Sequence, residues 1–199
     1  MKLFYTATSP YARKVRVTLL EKGLGERVER VPCNLEAPDT ALLAANPAGK
    51  IPALILESGE ALFDSPVICE WLDLEAGPPL LLPAQGPMRW RVLRGGALAD
   101  AVMDDALDVV MELRRVAEQR SAALIEKRTA ALRRSVAALE QALAAWPDSL
   151  TLAHIAAGCA LGYLDLRLPD LAWRAGHDRL AQWFAELSER PSMRATRPE

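Results

Sequence analysis

Between Gly77 and Pro87 the chain reads Gly-Pro-Pro-Leu-Leu-Leu-Pro-Ala-Gln-Gly-Pro, and this stretch limits what the rest can fold into. Proline lacks an amide hydrogen and glycine lets the backbone turn freely, so neither a helix nor a strand runs through such a segment. The two sides of it have different characters. Before it, short apolar runs of strand length alternate with helical patterns. After it, residues 88 to 145 are rich in Ala, Leu, Arg and Glu, which favour helix, and show no strand-like alternation. A division follows: residues 1–77 as an α/β domain, 78–87 as a linker and 88–199 as an all-α domain, a helical bundle.

The first part carries seven elements. Lys2 to Tyr5 reads as a strand, and Pro10 to Lys22 as a helix with Val15, Leu19 and Leu20 inward, stopped by Gly23 and Gly25. Val28 to Val31 reads as a second strand and Asp39 to Ala45 as a short helix ended by Asn46-Pro47. Pro52 to Leu56 and Ala61 to Phe63 flank the turn Ser58-Gly59-Glu60. Ser65 to Glu75 is a helix with Val67, Ile68, Trp71 and Leu72 on its apolar side. The order is βαβαββα, and the last two strands are too close for anything but a hairpin. In the second part, Leu132, Val136, Leu139 and Leu143 mark one face of a long amphipathic helix that Trp146-Pro147-Asp148 ends. Two more helices are expected near 150–166 and 177–188.

Charge and cysteine content exclude several classes of function. The formal charge is −2, which offers no basic footprint for nucleic acid or an anionic membrane. Cys33, Cys69 and Cys159 form no CxxC pair and no metal spacing with His154 or His177, so they read as reduced thiols packed as small hydrophobes. Leu150 to Leu168 approaches the length of a membrane span and contains a Gly158-Cys-Ala-Leu-Gly162 pattern. His154, Asp165 and Arg167 interrupt it, so a helix buried at the centre of a helical domain is expected instead. The start, MKLFYTATSP, has no apolar run of signal-peptide length, and a soluble, cytoplasmic chain is expected.

Three motifs carry possible chemistry. In Thr8-Ser9-Pro10-Tyr11-Ala12-Arg13-Lys14, Ser9 is placed as a helix N-cap and Pro10 as the first helical residue. A hydroxyl there sits beside unpaired backbone N–H groups and the positive end of the helix dipole, which favour an anion such as a thiolate; a plain cap is the simpler use. In Asn46-Pro47-Ala48-Gly49-Lys50-Ile51-Pro52-Ala53-Leu54, a proline opens a buried strand, and a cis Ile51–Pro52 bond is one reason it stands there. In Leu62-Phe63-Asp64-Ser65-Pro66-Val67-Ile68, Ser65 is expected as another N-cap. Its hydroxyl and the following N–H groups suit a carboxylate, and Asp64 suits an ammonium; a capped helix with a solvated Asp is the alternative.

As a set, SPYARKVR, NPAGKIPAL and LFDSPVI, followed by the Pro-rich linker and the helical part, resemble the glutathione S-transferase family over essentially the whole chain, most of all its bacterial serine-type members near the zeta-like and stringent-starvation-protein-like branches. The resemblance implies a thioredoxin-like N-terminal domain, glutathione as co-substrate, no metal, no nucleic acid or membrane partner, and a homodimer. It implies that Ser9 faces the glutathione sulfur, that the Ile51 backbone pairs with the cysteinyl unit ahead of a cis-Pro52, and that Lys50 lies near the glycyl end. Asp64 and Ser65 would hold the γ-glutamyl group, with Asp64 shorter than the family's usual Glu. Ser9-Pro-Tyr-Ala12 stands where a glutaredoxin has two cysteines, so dithiol exchange is excluded at this site. Tyr5 and Thr8 are rival thiol activators. Arg13 and Arg16 are expected on the surface of their helix.

Two further expectations concern the helical part. Asp104, with Asp100, lies in register with Leu93, Ala97, Leu107 and Met111. By the resemblance Asp104 approaches the neighbouring subunit's γ-glutamyl amine, a helix edge facing solvent being the alternative. Trp90, Met103 and Met111 are expected in core or interface, Met111 being also a candidate for the acceptor pocket. At Thr151-Leu-Ala-His154 the family usually carries a Ser/Thr-x-x-Asp capping box, and His154 is expected to weaken the reciprocal half. The implied activity is attack of the glutathione thiolate on a small electrophilic, largely apolar acceptor. The alternatives are a non-catalytic regulatory or ligand-binding protein of this fold, or a zeta-like glutathione-dependent isomerase.

Overall fold

A computed structural model of the chain describes residues 1–37 and 39–198. They fall into two compact units, Met1–Ala84 with Pro191–Glu199, and Gln85–Arg190. The expected helical domain of 88–199 thus yields its end, from Pro191 on, to the first unit, where Arg13 bonds to it.

The first unit holds strands β1 (Lys2–Tyr5), β2 (Glu29–Pro32), β3 (Ala53–Ile55) and β4 (Ala61–Leu62) in the order β2-β1-β3-β4. β1 runs parallel to β2 and antiparallel to β3, and β3 and β4 form the expected hairpin. Its turn closes with Leu56 N–H donating to the Glu60 carbonyl at 2.8 Å, and Gly59 sits at φ 88°, which an L side chain rarely adopts. Helices α1 (Pro10–Glu21), α2 (Thr40–Ala45) and α3 (Ser65–Ala76) complete the βαβαββα order. Side chains alternate across the sheet. Phe4 and Ala53 pack with Leu42 and Ala45 of α2, while Leu3 and Leu54, paired in register, fill the opposite face with no exposure.

Two expected core residues face outward: Leu20 is 42% exposed and Val67 47%. The inward places go to residues read as polar. On α1, Thr18 is fully buried, its hydroxyl donating to the Lys14 carbonyl, and Arg13 is buried rather than on the surface. The Arg13 guanidinium donates to the Met193 carbonyl at 3.1 Å and to Thr196 Oγ1 at 3.4 Å. These bonds fasten the short helix Pro191–Ala195, which we call α8, onto α1, and the Ser192 hydroxyl adds a short hydrogen bond to the Glu21 carboxylate. A buried guanidinium needs such acceptors, because leaving it unpaired is costly.

The Pro/Gly segment is anchored rather than a free linker. Leu81 and Leu82 are buried, and their amides donate to the two carboxylate oxygens of Asp73 at 2.9 and 2.8 Å. The Ile51–Pro52, Phe63–Asp64 and Pro78–Pro79 bonds are cis.

The second unit contains α4 (Pro87–Arg114), α5 (Ala122–Leu143), α6 (Leu152–Arg167) and α7 (Asp178–Ser188). The helical stretch expected over 88–145 is broken at Arg115–Ser121. The Glu112 carboxylate accepts the Ser121 amide at 2.6 Å, which holds its pKa below the ordinary value, and Ser121 caps α5 through Leu124. Leu132, Val136 and Leu139 are buried as their spacing predicts. α6 is buried along most of its length and packs against α4. Among the described residues no helix is long and apolar enough to cross a membrane.

Candidate functional site

The sheet register brings three loops to one end of the first unit. β1 and β3 are antiparallel with Phe4 opposite Ala53, so the exit of β1 toward Ser9 lies beside the entry of β3 at Ile51 and Pro52. β3 and β4 are antiparallel with Leu54 opposite Leu62, so the exit of β4 toward Asp64 and Ser65 lies on the other side of that same entry. Helices α1 and α3 both start there. Two helix N-termini, with their unpaired N–H groups and positive dipole ends, therefore flank the Ile51–Pro52 segment.

Ser9 is the N-cap of α1, with Pro10 at its first helical position, as its sequence predicts. The Ser9 hydroxyl accepts the Ala12 amide at 3.2 Å, and the residue is half-buried. Tyr5, one rival activator, ends β1 with the Arg16 guanidinium 5.3 Å from its ring centroid. Thr8, the other, is half-buried in the loop ahead of Ser9.

The Ile51–Pro52 bond is cis and Pro52 is buried, while Ile51 is half-buried. Among the described residues no donor or acceptor meets the Ile51 backbone amide or carbonyl. Lys50 is exposed beside it. The loop that presents Ile51 is held by Asn46, a residue read from sequence only as a helix end. Asn46 is 3% exposed; its Oδ1 accepts the Ala48 amide at 3.0 Å and its Nδ2 donates to the Lys50 carbonyl at 2.8 Å. Gly49, at φ 64°, supplies the left-handed turn between them. The Asn-Pro-Ala-Gly string was the available signal, since Asn side chains cap their own turns.

At the third loop Asp64, not Ser65, is the N-cap of α3, and its side chain makes no capping hydrogen bond. Ser65 is the first helical residue, ahead of Pro66, and is 1% exposed. The shift by one residue leaves the Asp64 carboxylate exposed for other use. Asp104 belongs to the second unit, on α4, where it is exposed. Trp90, Leu107 and Met111 share that outward side of α4 and are 68%, 38% and 52% exposed, whereas Met103 is fully buried, as expected.

The capping box of α6 is complete, contrary to expectation. Imidazole Nδ1 of His154 accepts the Thr151 amide at 3.1 Å and the His154 amide donates to Thr151 Oγ1 at 3.5 Å. A neutral imidazole carries a lone pair on one nitrogen, so it replaces a carboxylate as acceptor as long as it stays unprotonated. Burial, assisted by the Arg190 charge, pushes the His154 pKa down to about 4, which keeps that lone pair available. Burial also raises the pKa of the half-buried Cys33 thiol, and Cys69 and Cys159 are buried.

A thioredoxin-like sheet with its loops gathered at one end, accompanied by a helical unit, defines a fold class that the comparisons narrow. The N-terminal domain family of glutathione S-transferases matches residues 8–75 and the C-terminal domain family matches residues 122–186. The chain is 37% identical over 202 residues to the uncharacterized GST-like protein YibF of Escherichia coli K12, covering 100% of this chain and 98% of that one. It is similar, at 44% identity and a TM-score of 0.95, to the crystal structure of a glutathione transferase family member from Pseudomonas fluorescens Pf-5 with bound glutathione, over 100% of this chain and 98% of that one. Over 104 residues, 49% of this chain and 47% of the relative, it is 40% identical to maleylacetoacetate isomerase of Pseudomonas aeruginosa. The chain belongs to the glutathione S-transferase family.

Proposed function

We propose that the protein is a glutathione transferase that binds glutathione across the three loops and directs its thiolate at a small electrophilic, largely apolar acceptor. The observation that carries this is the gathering of Ser9, the Ile51 backbone and the Asp64–Ser65 helix start at one end of the sheet. Its spacing suits an extended tripeptide. The γ-glutamyl carboxylate goes to the start of α3 at Ser65 and its ammonium to Asp64, the cysteinyl unit pairs with Ile51, and Lys50 meets the glycyl carboxylate. The sulfur then faces Ser9. A hydroxyl hydrogen bond and the α1 dipole both favour thiolate over thiol, so the pKa falls and the nucleophile is populated at neutral pH. Nucleophilic substitution or addition follows, with the S–C bond forming as the leaving group departs or the acceptor takes up a proton.

The protein acts as a homodimer in this reading, supported by the outward apolar side of α4 with Trp90, Leu107 and Met111, and Asp104 on that side approaches the partner's γ-glutamyl amine. The test is Ser9→Ala with a model aryl halide. Losing one hydrogen bond to a charged sulfur is worth about 1.5–3 kcal/mol, so kcat should drop about 10- to 100-fold with glutathione affinity mostly intact. Unchanged turnover removes Ser9 from the mechanism. Calorimetry that finds no glutathione binding favours the non-catalytic alternative.

A second reading, a glutathione-dependent isomerase, draws on the partial likeness to maleylacetoacetate isomerase. Such a reaction needs cationic groups at an acceptor, and Arg13 is committed to α8 instead. Turnover of maleylacetoacetate analogues above that of aryl halides would favour this reading.

A further inference from the structure

Within the first unit, α8 packs on α1, the helix whose first turn carries Ser9. It is attached at two places, Arg13 and Glu21, which stand about two turns apart on α1 and so roughly 12 Å along its axis. In the first turn and a half the Arg13 guanidinium donates to the Met193 carbonyl and the Thr196 hydroxyl, and at the far end Glu21 accepts the Ser192 hydroxyl. Thr196 Oγ1 donates in turn to the Ser192 carbonyl at 2.8 Å, so the two attachments are joined through α8. Arg13, Ser192, Met193 and Thr196 are all buried, as is Val17, which lies between Arg13 and Glu21 in one i, i+4 row.

Packing alone does not require a charge here. An apolar side chain at position 13 would cover α8 without desolvating a guanidinium, but it would let the two helices slide. A planar fork shared between two acceptors fixes their register. The same residue supports the cap: the Arg13 amide donates to the Ser9 carbonyl at 3.0 Å, next to the Ala12 amide that donates to the Ser9 hydroxyl. Helices fray at their ends, so a first turn held only by its own backbone bonds opens readily. Arg13 is held through backbone and side chain together. Placement matters at a reacting group, where a shift of about 1 Å costs up to ~100-fold in rate.

We propose that α8 is a splint for the glutathione site, with Arg13 and Thr196 as positioning residues that keep the Ser9 hydroxyl where it meets the glutathione sulfur. The proposal rests on the role given above to Ser9.

The test compares Thr196→Val, which removes the hydroxyl that receives Arg13, with Thr196→Ser, which keeps it. In the free protein, NMR-detected deuterium exchange of the Ala12 and Arg13 amides should quicken about 10-fold in Thr196→Val, with exchange in α5 unchanged and Thr196→Ser close to the unaltered protein. In turnover of a model aryl halide at saturating glutathione, kcat at neutral pH should fall about 3- to 10-fold in Thr196→Val, and its pH profile should move upward while KM for glutathione changes little. Thr196→Ser should restore both, and Gly95→Ala, a destabilised control in the second unit, should leave the profile in place. Unchanged exchange at Ala12 and Arg13, a Thr196→Val profile that coincides with that of the unaltered protein, or an equal loss in Thr196→Ser would each overturn the proposal. Full turnover in Ser9→Ala beside quickened exchange in Thr196→Val would instead overturn the role of Ser9 while upholding the grip of α8 on its turn.

Discussion

The Nζ of Lys22 lies 2.8 Å from Asp73 Oδ1, and the two side chains are 5% and 1% exposed. Lys22 caps the end of α1 and Asp73 sits in the last turn of α3, so the pair joins the two helices. Its remaining valences are filled. Lys22 also donates to the Gly77 and Pro79 carbonyls at 2.7 and 2.6 Å, and Asp73 accepts the Leu81 and Leu82 amides. An ion pair saturated in this way organises the Pro/Gly segment that the sequence presents as a mere break.

Removing one partner should therefore cost more than removing a surface charge. Asp73→Ala leaves a buried ammonium and two buried amides unpaired, and a loss of about 3–5 kcal/mol in urea unfolding is expected. Lys22→Met keeps the carboxylate bound to two amides and should lose less. Equal, small losses for both variants, below about 1 kcal/mol, would mean the pair behaves as a solvated surface bridge.

Adjacent glycines on α4 should respond in opposite directions to the same substitution. A Cβ on Gly95 would stand 2.9 Å from both Ala153 Cβ and Trp146 Cζ2, whereas one on Gly96 meets nothing within 4 Å. Gly95→Ala should destabilise by about 1–3 kcal/mol as the packing is forced apart. Gly96→Ala should stabilise by up to about 1 kcal/mol, because alanine favours helix. Thermal melts of the two variants compare the predictions directly.

What the sequence made legible was the part that local rules govern. Periodicity and Pro/Gly punctuation place the strands, the hairpin and α6, and the three proline-containing motifs arrive at one sheet end because the βαβαββα order forces them there. Long-range polar partners were not legible. Arg13 reads as a surface cation because nothing near it in sequence announces Met193 and Thr196, some 180 residues away. Nor does any local pattern announce the partners of Asp73 at Lys22, Leu81 and Leu82, and Leu20 and Val67 read as core because apolar character alone cannot tell which helix face finds a neighbour. His154 departs from the usual carboxylate, and only its tautomer, set by the Thr151 amide that donates to Nδ1, shows that the capping box survives.

That tautomer makes stability depend on pH. In the unfolded chain His154 titrates near 6.5, in the folded chain at about 4. Above pH 6.5 both states are neutral at this residue and the cap is intact. As pH falls from 6.5 toward 4 the unfolded state binds a proton that the folded state refuses, so folding stability declines over that window, by roughly 3 kcal/mol at most. His154→Asp supplies a carboxylate acceptor and should flatten the decline. Urea midpoints at pH 7.5, 6 and 4.5 for both proteins check it, and parallel slopes would exclude His154 as the source.

Asn46 connects the fold to the proposed glutathione site, and it separates affinity from thiol activation. Its amide fixes the loop from Ala48 to Lys50 and thereby the pose of Ile51, yet it lies on a different loop from Ser9. Asn46→Ala removes one acceptor and one donor from a buried position, so glutathione affinity should fall about 10-fold as the loop loses its shape. Asn46→Asp keeps the acceptor for Ala48 and loses the donor to the Lys50 carbonyl, so an intermediate loss is expected. The pH dependence of turnover at saturating glutathione should stay that of the unaltered protein in both variants, because the Ser9 hydroxyl and the α1 N-terminus are unchanged. Calorimetry and a pH–rate profile measure the two effects separately. A shifted profile with unaltered affinity would mean that the Asn46 loop acts on the sulfur instead of on the cysteinyl backbone.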